Sequence, residues 1–297
     1  MPERTRQPLA VALRDPYPWS ELAGLARTIE AAGYGAVFLP EVGTRDTLAA
    51  LAALAGETTT LRLGTGVVPL PSRSPGLLAI AAATVQERSN GRLILGLGTG
   101  PSTPGALDRL RATIVALRSS YAGGAGSVDG VPVRSPLPLP APPELWVAAL
   151  GPRATRLAGE VADGVLLNWC TPERVAAAVT QVGDGARAAG RDPADVTVAV
   201  YVRAALAPGS IDGAREAAAA YGSYPAYARQ FAAMGLDPSD PDAIMANVML
   251  TDPASAPDRL EAYRAAGAGL PVVYPVLPLG APAVDAARST IEILAPA

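Results

Sequence analysis

Short apolar runs alternate with longer amphipathic stretches along most of this chain. The residues of these runs are nearly all apolar, which is typical of parallel strands that are buried on both faces. The pattern therefore predicts a largely parallel sheet. The expected strands are Leu9–Leu13, Ala36–Leu39, Leu61–Val67, Leu93–Leu97, Leu145–Ala148, Gly164–Leu167, Val196–Val202 and Leu270–Tyr274.

Helical periodicity fills most of the intervals between these runs. The first such stretch places Leu22, Leu25 and Ile29 on one face and stops at Gly33. Strand–helix alternation repeated about eight times predicts an α/β fold, a single (β/α)8 TIM barrel over residues 1–297. A doubly wound open sheet is the alternative. The expected helices are Trp19–Ala32, Asp46–Glu57, Pro75–Ser89, Gly105–Tyr121, Arg153–Val161, Pro172–Ala189 and Pro282–Ile293.

Two segments interrupt the alternation. Gly123–Pro143 is rich in glycine and proline and predicts a loop or a short hairpin. Asp212–Pro257 predicts a mostly helical insertion between strands 7 and 8, over the face where barrel enzymes carry their active sites. It is a candidate lid or substrate wall, although its aromatic residues could instead simply pack it onto the barrel. These aromatic residues are Tyr221, Tyr224, Tyr227 and Phe231.

The composition of the chain excludes several kinds of catalytic site. The chain contains no histidine and no lysine, so all 24 basic residues are arginine. A Schiff-base lysine, a Ser-His-Asp triad and the common zinc sites are therefore not expected, and we predict no metal site. Because arginine is a poor general base, a bound organic cofactor is the natural source of reactivity. Arginine-rich codon usage would explain the missing lysine, but the missing histidine less well.

Charge and hydropathy limit the partners. The net charge is −3 with no basic run, so nucleic acid is not an expected partner. Residues 1–8 lack the apolar centre of a secretory signal, and no long uncharged apolar stretch is present to span a membrane. We therefore expect a cytoplasmic protein acting on a small molecule. The single cysteine, Cys170, excludes an internal disulfide.

Glycine-rich segments follow several of the expected strands, at residues 64–67, 96–101 and 150–153. Glycine lets the backbone approach a flat ring or a phosphate closely. Pro152 suits the first position of a helix whose unpaired N–H groups, together with Arg153, could face an anion. Each segment alone could be an ordinary turn, but their shared place at the strand ends favours a binding site.

Five segments of the chain resemble the bacterial luciferase-like oxidoreductases, in order and over nearly the whole length. They are AGYGAVFLPE, LAALAGETTTLRLGTGV, SRSPGLLAIAAATVQERSNGRLILGLGTG, LWVAALGPRATRLAGEVADGV and LPVVYPVLP. The chain is more similar to the branch that uses the deazaflavin coenzyme F420 than to the flavin monooxygenases. The resemblance implies a homodimer formed through the helices that flank strands 2 and 3.

The resemblance also implies the site residues. Glu41 is expected near the deazaflavin ring, either as an acid or base or as a hydrogen-bond partner without proton transfer, and a non-prolyl cis peptide is expected at Gly66–Val67. The expected cofactor-binding residues are Glu41, Thr65, Gly66, Val67, Thr99, Gly100, Leu150, Gly151, Pro152 and Arg153. The expected substrate pocket consists of Asn168, Trp169, Cys170 and Tyr224.

The departures from the family limit the activity. Members that oxidise glucose 6-phosphate carry histidine, glutamate and threonine where this chain has Val42, Pro101 and Asn168, so that reaction is not expected. The leading hypothesis is F420-dependent hydride transfer involving a small organic substrate such as an imine or an activated alkene. An FMN-dependent monooxygenase and a catalytically silent cofactor-binding homologue are the alternatives.

Overall fold

The computed structural model describes residues 8–14, 16–101, 103–280 and 284–296. Its strands, in chain order, are β1 (Ala10–Ala12), β2 (Ala36–Leu39), β3 (Arg62–Thr65), β4 (Val68–Pro69), β5 (Leu93–Gly98), β6 (Gly126–Val128), β7 (Val131–Val133), β8 (Glu144–Ala149), β9 (Gly164–Asn168), β10 (Thr197–Ala204), β11 (Met249–Leu250) and β12 (Leu270–Pro275). Over these ranges, the eight strands β1, β2, β3, β5, β8, β9, β10 and β12 pair in parallel in that order.

The sheet closes on itself through β12, which pairs with β10 on one side and with β1 on the other. Leu270 lies opposite Ala199 in β10, and Val272 lies opposite Ala10 in β1. The barrel prediction is therefore confirmed, and the open-sheet alternative is wrong. The glycine- and proline-rich segment at residues 123–143 contains the antiparallel β6–β7 hairpin.

The helices agree with the periodicity to within a few residues at their ends. Asp46, Ser74 and Thr171 accept hydrogen bonds from backbone N–H groups in the first turn of the helices that follow them. The start expected at Pro282 lies outside the described residues. No helix in the described ranges is long and apolar enough to cross a lipid bilayer. The helices are α1 (Trp19–Ala31), α2 (Thr47–Leu54), α3 (Pro75–Arg88), α4 (Ala106–Tyr121), α5 (Pro152–Val161), α6 (Pro172–Ala188), α7 (Ser210–Ser223), α8 (Pro225–Ala233), α9 (Pro241–Val248), α10 (Ala256–Ala265) and α11 (Val284–Ile293).

The interior of the barrel combines small side chains with three aromatic rings. The centroid of the Phe38 ring lies 5.7 Å from that of Trp146 and 6.4 Å from that of Tyr201. Gly64 makes room for them, because a Cβ built on it would come within 2.3 Å of the Phe38 ring. This position in β3 is glycine because the ring beside it already fills the space that a side chain would need.

The segment between β10 and β12 forms helices α7 to α10, which begin at Ser210, close to the expected boundary. Its aromatic residues serve both of the roles that the sequence allowed: some pack the insertion onto the barrel, and others form a wall of the cavity. Phe231 is fully buried and packs its ring edge-on against Trp169 with the centroids 5.7 Å apart. Tyr221 and Tyr227 instead lie on a cavity wall above the barrel. The insertion is thus fixed to the barrel by one part of the cluster and faces the cavity with the other.

A carboxylate joins α1 to the loop that enters β3. Glu30 accepts hydrogen bonds from the backbone N–H groups of Thr59, Thr60 and Leu61 at 2.6–2.9 Å. Burial tends to raise the pKa of Glu30, but these hydrogen bonds to the ionised carboxylate prevail and lower it to about 2. The ionised form of Glu30 therefore supports the folded state.

Candidate functional site

A cleft of about 1810 Å³ opens at the carboxyl ends of the barrel strands. This is larger than the roughly 300–1,000 Å³ that is usual for a small-molecule site. One side is formed by residues that directly follow β2, β3, β5 and β8, and the other by α7 and α8 of the insertion. A smaller cavity of about 310 Å³ lies beside α6 and the start of β10, away from the carboxyl ends of the strands. The large cleft is therefore the candidate active site.

Glu41 lies on the cleft wall just after β2, and its carboxylate is already occupied. Arg73 donates from Nε to Oε1 at 3.0 Å and from Nη2 to Oε2 at 2.6 Å, and the Ser72 hydroxyl donates to Oε1 at 2.7 Å. Arg73 also donates to Asp46 at 2.6 Å. The Glu41 and Arg73 side chains are only 11% and 10% exposed. A two-point ion pair of this kind fixes the orientation of the carboxylate.

The residues that end β3 divide between the wall and the interior. Gly66 and Val67 line the cleft, and the peptide bond between them is cis, as predicted. The Tyr201 hydroxyl donates to the Gly66 carbonyl oxygen at 3.1 Å, and the Glu41 N–H donates to the Val67 carbonyl oxygen at 3.3 Å. Thr65 is fully buried and donates its hydroxyl to the Gly96 carbonyl oxygen at 2.7 Å. Its side chain therefore joins β3 to β5 and does not face the cleft.

Two helix N-termini lie on the same wall, after β5 and β8. Helix α4 is preceded by Gly105 and α5 by Gly151, and neither glycine provides a side-chain cap. The first backbone N–H groups of a helix have no partner within the helix, and they carry partial positive charge. Thr99 and Gly100 also line this part of the cleft. This part of the wall is thus suited to an anionic group.

The segment from Leu150 to Arg153 lies on the cleft wall as the sequence predicted, with Pro152 as the first residue of α5. Arg174 from α6 donates to the Leu150 carbonyl oxygen at 3.0 Å and so holds the loop in place. Arg153 is exposed, and its side chain makes no hydrogen bond or ion pair with the described residues. Its charge is available to a ligand.

Only two of the four expected substrate-pocket residues reach the cleft. Asn168 and Tyr224 line it. Trp169 does not, because the chain turns after β9 with a φ of +55° at Trp169 and directs the indole between the barrel and the insertion, leaving it 1% exposed. Cys170 is also buried, with its sulfur 3.7 Å from Gln230 Nε2. Burial raises the pKa of its thiol to about 12, so Cys170 is neither a thiolate nor a ready proton donor near pH 7.

Sequence reasoning did not find Arg203, which lines the cleft near the end of β10 and is only 5% exposed. Its Nη1 donates to Asn168 Oδ1 at 2.6 Å, and its guanidinium carbon lies 3.9 Å from the centre of the Trp169 ring. Arg203 shares the inward face of β10 with Ala199 and Tyr201. One signal was available, because Arg203 is the only charged residue in the apolar segment TVAVYVRA.

Two tyrosines on the cleft wall, Tyr227 and Tyr274, keep their protons at neutral pH. Burial raises the pKa of Tyr227 to about 12, and burial also raises the pKa of Tyr274. Both can donate a hydrogen bond at neutral pH, but neither ionises readily. These two hydroxyl groups are thus fitted to bind and orient a ligand.

The chain is similar in sequence and in fold to known proteins. The family model for luciferase-like monooxygenase matches residues 5–269. A 5,10-methylenetetrahydromethanopterin reductase of Methanolobus tindarius is 34% identical over 198 residues, which cover 62% of this chain and 61% of the relative. An F420-dependent glucose-6-phosphate dehydrogenase of Beutenbergia cavernae is 31% identical over 185 residues, 53% of each chain. The match thus spans between half and two thirds of the length of these two relatives.

Solved structures extend the likeness of fold to nearly the whole chain. The coenzyme F420-dependent tetrahydromethanopterin reductase of Methanopyrus kandleri superposes with a TM-score of 0.77 at 20% identity, over 98% of this chain and 97% of that chain. A type II Baeyer–Villiger monooxygenase component of Pseudomonas putida, in complex with FMN, has a TM-score of 0.77 at 16% identity, with the same coverage. With the family model matched over most of its length, the chain belongs to the luciferase-like monooxygenase family.

Proposed function

We propose that this protein is an F420-dependent oxidoreductase that transfers a hydride between the deazaflavin and a small organic substrate. The names of its sequence relatives support this, since they include F420-dependent enzymes and methylenetetrahydromethanopterin reductases. A bound deazaflavin would supply the redox chemistry, which amino-acid side chains do not provide by themselves.

The observation that carries the proposal is a large cleft on which the Glu41 carboxylate is paired and the hydroxyl groups of Tyr227 and Tyr274 stay protonated, with the Cys170 thiol buried outside it. Glu41 is held by Arg73, and the thiol of Cys170 is buried and neutral near pH 7. Tyr227 and Tyr274 stay protonated, because burial raises the pKa of each. A cleft of about 1810 Å³ with such walls is suited to hold a reactive cofactor together with a substrate.

The residues present fit a flat cofactor that carries a phosphate, as the cofactors of both family branches do. The backbone at Gly66 and Val67 presents no long side chain to a ring. On the same wall, the N-termini of α4 and α5 offer N–H groups, and Arg153 adds a full positive charge. These groups would hold a phosphate against the net charge of −3 of the chain.

Within this proposal, Glu41 is a positioning residue. Its two-point pairing with Arg73 favours the second of its two expected roles, in which it orients a ligand without transferring a proton. Reduction of an imine or an activated alkene, the substrates we propose, requires a proton at the atom that becomes negative. The hydroxyl groups of Tyr227 and Tyr274 line the same cleft and can donate hydrogen bonds there.

Titration of the purified protein with F420 and with FMN tests the cofactor. We expect the fluorescence of F420 to change on binding, with an affinity at least tenfold higher than for FMN. Tight binding of FMN with no binding of F420 would overturn the proposal in favour of the FMN-dependent monooxygenase. F420 binding without turnover of any imine or activated alkene in a panel, in either direction, would instead identify a catalytically silent homologue.

We also propose a homodimer, for which the surface of α3 gives support. The leucines of α2 pack into the barrel's own core, so that α2 exposes mainly the small residues Ala49 and Ala53. The neighbouring α3 exposes two large apolar side chains, Leu77 at 50% and Ile80 at 48%. Leu77 and Ile80 lie one helical turn apart, and this exposed apolar pair is the contact that we propose for the partner.

A further inference from the structure

A polar cluster stands on the cleft wall where the barrel meets the insertion. It consists of Arg203 on β10, Asn168 at the end of β9 and Tyr227 on α8. Arg203 Nη1 donates to Asn168 Oδ1 at 2.6 Å, and Asn168 Nδ2 donates to the Tyr227 hydroxyl oxygen at 3.0 Å. The cluster therefore draws on three elements that lie far apart in sequence, and a change in one member would be felt by the others.

The positive charge of Arg203 has no carboxylate partner among the described residues. Aromatic rings surround it instead: its guanidinium carbon is 3.9 Å from the centre of the Trp169 ring and 5.0 Å from those of Tyr221 and Tyr274. Ring faces stabilise a desolvated cation only in part. A buried charge normally has a counter-charge, and here the open side of the guanidinium is the cleft.

The unused hydrogen-bond donors of Arg203 and Tyr227 also indicate a ligand in the cleft. A guanidinium carries five N–H donors, and among the described residues the side chain of Arg203 makes one hydrogen bond, from Nη1 to Asn168. The Tyr227 hydroxyl oxygen accepts from Asn168, which leaves its own proton to donate elsewhere. The cluster thus offers several donors to the cleft beside one positive charge.

We propose that Arg203, Asn168 and Tyr227 form a carboxylate-binding subsite, and that the substrate is an aromatic or conjugated carboxylic acid. A planar guanidinium fork matches the planar carboxylate with two parallel hydrogen bonds. The neighbouring rings of Tyr221 and Tyr274 provide flat apolar surface for the remainder of such an acid. That this ligand is the substrate rests on the proposed function; that the cluster binds carboxylates does not.

Binding of sodium benzoate to the protein without cofactor tests the subsite, with benzamide as the uncharged probe of equal shape. Trp169 reports binding, because its ring contacts the Arg203 guanidinium, and calorimetry gives an independent affinity. We expect benzoate to bind at least tenfold more tightly than benzamide, and Arg203→Gln to remove most of that difference. Equal affinities of the two probes, or unchanged benzoate affinity in Arg203→Gln, would overturn the proposal.

A second variant keeps the test decisive if Arg203→Gln does not fold. Asn168→Asp has the same shape and places a carboxylate beside the guanidinium, so it should lower benzoate affinity at least tenfold in a folded protein. The matched control is Arg215→Gln, which removes an exposed cation on α7 that pairs with Asp242 outside the cleft. It should leave benzoate affinity within twofold. Retained benzoate affinity in Asn168→Asp would overturn the proposal.

The same variants separate substrate from cofactor. Arg203→Gln should bind F420 within twofold of the unaltered protein, and inorganic phosphate should displace benzoate only weakly. Two results would assign Arg203 to a phosphate of the cofactor and overturn the carboxylate subsite. The first is a loss of F420 affinity in Arg203→Gln as large as its loss of benzoate affinity. The second is binding of inorganic phosphate at this site as tight as that of benzoate. Failure of the unaltered protein to bind F420 would count against the proposed function alone, because benzoate binding needs no cofactor.

Discussion

Arg153→Ala should weaken cofactor binding about ten- to a hundredfold. Arg153 is the second residue of α5, beside N–H groups that no side chain caps, and its guanidinium has no partner within the described ranges. A charge-assisted hydrogen bond to a phosphate is worth about 1.5–3 kcal/mol, and about 1.4 kcal/mol corresponds to a factor of ten in affinity. Because Arg153 is exposed, solvent screening favours the lower half of that range.

The assay is fluorescence titration with F420 at two salt concentrations, since a screened charge contributes less at high salt. The matched control is Arg156→Ala, which removes an exposed charge one turn further along α5, where Arg156 meets Asp184 at 3.4 Å. Both variants should keep the free energy of unfolding within about 0.5 kcal/mol of the unaltered protein. If Arg153→Ala leaves F420 affinity unchanged, backbone N–H groups alone hold the phosphate and the argument from the side chain fails.

Features outside the cleft give three more tests. Glu30→Gln should lower the melting temperature at pH 7, by an amount that disappears as the pH falls from 4.5 towards 2, because only the ionised carboxylate supports the fold; an equal loss at pH 2 would contradict this. Gly64→Ala should lower the free energy of unfolding, measured by urea denaturation, by about 1–3 kcal/mol. Gly24→Ala, where a Cβ on α1 would meet open space, should raise it by about 0.5–1 kcal/mol. Similar effects of the two substitutions would refute the crowding at β3. Leu77→Glu with Ile80→Glu should convert a dimer into a folded monomer in sedimentation, and an unaltered protein that is monomeric at micromolar concentration would refute the interface.

The barrel was predictable because its strands are buried on both faces, so that each reads as a nearly unbroken apolar run. Turn residues mark the ends of many elements: Gly33 follows α1 with a φ of +87°, and Gly91 precedes β5 with the same φ. Parallel strands then place their carboxyl ends on one face. The sequence could therefore locate Glu41, Gly66 and Arg153 at one cleft before their distances were known.

The other wall of the cleft was not predictable in the same way. Whether a residue after a strand faces the cleft or the core depends on one backbone rotation, and the positive φ at Trp169 directs the indole into the core beneath the insertion. Arg203 was missed for a related reason. A single arginine at the end of an apolar strand has no local pattern, and the aromatic rings that hold it come from the turn after β9, from α7 and from β12.

Because the site contains no histidine or lysine, its positive charge does not depend on pH over the physiological range. The cations on the cleft wall are arginines, which stay protonated over the physiological range. The buried hydroxyl of Tyr227 also keeps its proton, because burial raises its pKa to about 12. The protonation of these groups therefore does not change between about pH 6 and pH 9. Any change in turnover over that interval would then arise from the substrate, the cofactor or an acidic group, since no imidazole or lysine amine is present to titrate.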